Sequence, residues 1–83
     1  MKKKVEYFRE IDEVDETHVE ATVPCVNIRD KPSYEGAIIG TATDSEKLKY
    51  SSTIIDPDGV SWYGIVYGDN PGWVCGNYSR LVE

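Results

Sequence analysis

A single histidine and two cysteines fifty positions apart leave this 83-residue chain little with which to build a reactive centre. His18 stands alone at the end of an acidic stretch, so a Ser-His-Asp or Cys-His relay has almost nothing to assemble from. Cys25 and Cys75 lack the paired-ligand spacing that zinc requires, and they read as two separate, unbonded thiols. No Gly-rich phosphate loop is present. The turn Asp56-Pro57-Asp58-Gly59 lacks the ligand ladder of a calcium-binding EF-hand loop. Carboxylates are plentiful, but a glycosidase must wall two of them into a cleft to set their acidities apart, and a chain this short cannot build one. No catalytic residue, metal or cofactor is expected.

Cations are scarce too: 9 Lys and Arg face 15 Asp and Glu, for a net charge of −6. Nucleic acids and anionic membranes need clustered Lys and Arg, so neither is an expected partner. The one basic run, Met1-Lys2-Lys3-Lys4, reads as a solvated tail. No apolar stretch approaches the length of a membrane span. Acidic residues follow the lysines where a signal peptide would place its apolar region. Helical periodicity longer than about three turns is missing throughout.

What is present alternates with period two. Val19, Ala21 and Val23 alternate with Glu20 and Thr22, and Pro24 marks an edge, kink or bulge. Val26 and Ile28 then point one way, Asn27 and Arg29 the other. A polar loop over Asp30–Gly36 carries one aromatic, Tyr34, before a short strand over Ala37–Ala42. From Glu46 to Ile55, Leu48, Tyr50 and Ile54 oppose Lys47, Lys49 and Thr53. Asp56-Pro57-Asp58-Gly59 is a turn in which Pro presets φ and Gly supplies a positive one. Ser61–Tyr67 and Pro71–Tyr78 follow, crowded with aromatic and β-branched residues and holding both tryptophans. Strands recurring at roughly 8–12 residues predict one all-β domain, a small barrel of five or six short antiparallel strands. Its only helix is a single turn near Gly76–Ser79. Residues 1–18 read as an extension or linker: Val5–Ile11 alternates loosely, as a weak edge strand would, and Asp12–Glu16 is an acidic run that orders poorly. The domain proper is expected over residues 19–83.

Several of these pieces resemble the bacterial Src-homology-3 domain family. Val26-Asn27-Ile28-Arg29, then Pro32-Ser33 in a loop, then Ile38-Ile39-Gly40 is similar to its opening strand, loop and second strand. Trp62-Tyr63 with Ile65 is similar to its central strand, and Gly72-Trp73-Val74 with Tyr78 and Leu81 to its closing strand and turn. The likeness covers residues 19–83, with Asp30-Lys31 where the family has Ser-Gly and Ser45 where it has Gly. Gly72–Tyr78 also looks like the closing segment of the eukaryotic Src-homology-3 domains, in which a Pro-Ser-Asn-Tyr run shapes a peptide groove; Cys75 takes the place of the proline, and Asn77 and Tyr78 keep theirs. The resemblance implies a Src-homology-3-like barrel without catalytic machinery. It implies a monomeric module that binds short extended peptides of peptidoglycan and targets an attached or partner hydrolase in the cell wall or outside the cell. The alternatives are a module for Pro-rich peptides, or a packing domain of a larger hydrolase.

Candidate ligand-binding residues come from strand parity. Tyr63, Ile65 and Tyr67 share one face of their strand; Trp62, Gly64 and Val66 share the other. Periodicity leaves the choice of inner face open, and the resemblance implies that Tyr63 and Ile65 point inward. Trp62 then faces a groove, with Gly64 leaving room for a ligand backbone. Tyr34, Asn77 and Tyr78 complete the set, since Tyr and Trp give large contact area at little entropic cost.

Overall fold

The structure is a computed structural model that describes residues 17–83. The edge strand expected over Val5–Ile11 and the acidic run over Asp12–Glu16 lie outside the described residues, as does the expectation of weak order there. Seven strands form one antiparallel sheet: β1 His18–Ala21, β2 Cys25–Arg29, β3 Ile38–Thr43, β4 Leu48–Ile55, β5 Ser61–Tyr67, β6 Asn70–Cys75 and β7 Ser79–Val82. A 3₁₀ turn, Gly76–Tyr78, joins the last two and meets the expectation of a single helical turn. The sheet order is β3-β2-β6-β5-β4-β1-β7, curled into a half-barrel in which β1 also comes against β3. Among the described residues no helix is long and apolar enough to cross a membrane.

Seven strands replace the expected five or six. The addition is β7, too short to show a period, which pairs with β1 along its whole length from Ala21↔Ser79 to His18↔Val82. That pairing draws His18 out of the expected tail and into the sheet. There its Nε2 lies 3.0 Å from Glu20, whose other carboxylate oxygen accepts from Arg80 at 3.2 Å.

The concave side holds the core. Val19, Ala21, Val26, Ile28, Ala42, Ile65 and Val74 are buried against one another, with Val23, Leu48, Tyr50 and Tyr63 closing the rim. Alternation on β1, β2 and β5 therefore reads correctly. On β4 it does not. Tyr50 pairs with Ile65 and Ser52 with Gly64, so Ser51 is an extra residue, a β-bulge. The bulge shifts the phase of everything after it: Tyr50 stays on the core side, while Ile54, expected beside it, turns to the convex side opposite Trp62.

Candidate functional site

On the convex side, the three central strands set nine residues in register. β4 contributes Ile54, Ser52 and Lys49; β5 contributes Trp62, Gly64 and Val66; β6 contributes Cys75, Trp73 and Pro71. Over one corner of this grid folds the loop between β2 and β3. Arg29 shapes it, donating from Nη1 to the carbonyls of Tyr34 and Gly36, both at 3.0 Å. Asp30 closes its base: the backbone N–H of Ala37 donates to the carboxylate at 2.8 Å, and the Asp30 N–H donates to the Ala37 carbonyl at 2.9 Å. The guanidinium also lies 5.7 Å from the centre of the Tyr34 ring, within cation–π range. One arginine thus fixes both the loop backbone and the aromatic at its tip.

Tyr34 is delivered edge-on to Trp62, with ring centroids 5.0 Å apart and planes at 74°, an arrangement the ring quadrupoles favour. Its hydroxyl meets the Cys75 thiol at 3.0 Å. The hydrogen bond to Cys75 chiefly holds the Tyr34 phenol above its ordinary pKa; burial and the neighbouring Cys75 and Tyr78 add to it, and the Asn77 side chain opposes it. Tyr34 (50 % exposed) and Tyr78 (46 % exposed) open to solvent, as does Asn77.

Trp62 sits on the face that parity assigns it, opposite Tyr63 and Ile65, but it does not line an open groove. Its side chain is 0 % exposed. The strand is covered on both sides, by the core on one and on the other by the loop carrying Tyr34. The indole N–H, which needs a partner once buried, donates to Asp56 Oδ2 at 3.1 Å. Asp56 Oδ1 accepts the backbone N–H groups of Asp58 and Val60, each at 2.9 Å. The Val60 N–H, then the indole, hold the Asp56 carboxyl below its ordinary range. The Asp-Pro-Asp-Gly turn, in which Gly59 has φ +85°, therefore anchors Trp62 as well as reversing the chain.

Gly64 is corrected too. A Cβ there would lie 2.8 Å from Ser51 Oγ, 3.0 Å from Trp73 Cζ3 and 3.1 Å from Ser52 Oγ. The space it leaves is filled by the protein itself, by the Ser51 and Ser52 hydroxyls and the Trp73 ring. Four of the five residues singled out from the sequence do come together: Tyr34, Trp62, Asn77 and Tyr78 converge from the β2–β3 loop, β5 and the 3₁₀ turn. The residue left out of the candidate set is Trp73, the tryptophan that reaches the surface. Its signal was available, because Gly72 and Val74 alternate with Trp73 and Cys75 on β6.

Cys25 is exposed and Cys75 buried, and both are free thiols. Among the described residues, no group of three or more His, Cys, Asp and Glu could hold a metal ion. No protein-family model, curated protein or solved structure matches the chain.

Proposed function

We propose that this domain is a non-catalytic binding module for a short extended peptide, a Src-homology-3-like barrel whose ligand docks across Tyr34, Asn77 and Tyr78 with Trp62 as their buried floor. The observation that carries this reading is half-exposed Tyr34 set edge-on against buried Trp62, with half-exposed Tyr78 and Asn77 beside it. Each tyrosine offers a rigid ring and a polar edge at little entropic cost, and the Trp62–Asp56 and Arg29–loop bonds hold the platform in place before any ligand arrives. Preorganisation of that kind lowers the ordering cost of association. The resemblance to the bacterial family supplies the ligand class: stem or bridge peptides of peptidoglycan, met at the cell wall as part of a larger protein. A net charge of −6 suits ligands that carry a free amine.

A chemical-shift titration with soluble peptidoglycan peptides, run beside a Pro-rich peptide, tests the reading. Shifts confined to Tyr34, Asn77, Tyr78 and the Trp62 indole are expected with the former, and Tyr34→Ala or Tyr78→Ala weakens binding roughly tenfold or more, the usual cost of truncating a contact anchor. Shifts with the Pro-rich peptide alone transfer the site to that ligand class. No shift at these residues with either ligand ends the proposal.

A further inference from the structure

Trp73 occupies the centre of the convex face. Its ring reaches across β5 to within 3.0 Å of where a Gly64 Cβ would stand, so the indole lies down along the sheet. Ile54 (43 % exposed) and Val66 (44 % exposed) flank it, and exposed Pro71 adjoins Val66. The core, on the other side of the sheet, makes no use of these side chains. Single exposed apolar residues are ordinary, but a contiguous patch around a tryptophan marks a contact surface. This one is continuous with the aromatic platform: Ile54 and Cys75 are the cross-strand partners of Trp62. At its far end Lys49 stands exposed opposite Val66. A cation at that end of so acidic a chain asks for a ligand that brings negative charge there.

We infer that Trp73 is a second subsite of the same peptide site, taking an aliphatic side chain near the ligand's C-terminus, with Lys49 facing the ligand's α-carboxylate. This rests on the peptide-binding reading above. From the Trp62 row to the Val66 row is four strand residues, or about 13 Å. An extended peptide covers that distance in about four residues, so one short ligand lies on both subsites at once.

The probes are the pentapeptide L-Ala-γ-D-Glu-L-Lys-D-Ala-D-Ala and its C-terminal amide, titrated into the intact chain. The free acid is expected to shift the Trp73 indole resonance together with those of Tyr34 and Tyr78. It should bind about threefold tighter than the amide, the scale of one solvent-exposed ion pair. Lys49→Gln should erase that preference, and Trp73→Leu should weaken the acid roughly tenfold. If Trp73→Leu does not fold, the Trp73 resonance of the unaltered chain decides the matter. Shifts at Tyr34 and Tyr78 with Trp73 unmoved, or equal affinity for acid and amide, overturn this inference and leave the peptide-binding reading standing. Silence at Tyr34 and Tyr78 as well overturns both. A Trp73 resonance that moves on dilution alone, or on removal of residues 1–16, places a second copy or that segment on the patch and also overturns it.

Discussion

Replacing Trp62 with alanine removes a side chain that has no contact with solvent. A tryptophan buries on the order of 150–250 Å², which at about 25 cal/mol per Å² corresponds to roughly 4–6 kcal/mol. Large-to-small substitutions of buried aromatics cost about 3–5 kcal/mol. A domain of this size has only about 0.05–0.15 kcal/mol of stability per residue, or roughly 3–10 kcal/mol over residues 17–83. Trp62→Ala therefore takes half or more of the margin. In urea, followed by the fluorescence of the remaining Trp73, its transition should move close to zero denaturant or vanish. Ile65→Ala, on the opposite face of the same strand and 1 % exposed, should lose about 2–5 kcal/mol. Damage of similar size from both faces is the mark of a strand covered on two sides. If Trp62→Ala unfolds within about 1 kcal/mol of the unaltered protein while Ile65→Ala collapses, the Tyr34 loop does not cover Trp62 in solution, and the geometry described here is wrong at its centre.

Three further outcomes are open to simple measurement. The Tyr34 phenol, raised chiefly by its bond to Cys75, should ionise above the ordinary tyrosine range in an ultraviolet titration, and Cys75→Ala should bring it down. Because its folded pKa exceeds its unfolded one, the stability it contributes is full below the ordinary tyrosine pKa, about 10, and is lost as pH rises through the folded value; an alkaline unfolding midpoint unchanged by Tyr34→Phe would contradict this. Gly64→Ala should lift the Trp73 ring from the sheet, costing about 1–3 kcal/mol and making its fluorescence redder and more easily quenched by acrylamide. Finally, a thiol reagent should modify Cys25 rapidly in the folded protein and Cys75 only slowly, and the intact mass without reductant should show no two-hydrogen deficit.

Much of the fold is legible in the sequence because the core strands keep strict alternation. Val26 and Ile28 against Asn27 and Arg29, or Ile65 against Trp62, fall as period two requires. The errors have physical causes that local pattern cannot carry. The exposure of Trp62 depends on a loop that Arg29 and Asp30 fold back from another part of the sheet, a non-local event with no periodic trace. β7 is recognisable only through its partner β1. The inward reading of Ile54 failed because a bulge is silent in a Ser-Ser pair, where neither residue advertises the face it occupies. The candidate residues were chosen by chemistry, three of them as aromatics with a polar edge, and what chemistry could not supply was which tryptophan would be covered.

The bulge at Ser51 makes β4 a strand with two allegiances. Its first half feeds Tyr50 to the core; its second half lays Ile54 beside Trp62 on the far side. The extra residue is what puts Tyr50 and Ile54, which alternation alone would place together, on opposite sides. Any small side chain at 51 preserves both halves, and deleting residue 51 would restore a regular ladder with Tyr50 still opposite Ile65 and Ser52 still opposite Gly64, so that every later residue keeps its face. Ile54 would stay opposite Trp62 on the convex side and Thr53 opposite Tyr63 on the other. Relatives of this domain that keep the aromatic platform should vary freely in sequence across this pair of serines and tolerate the loss of one of them.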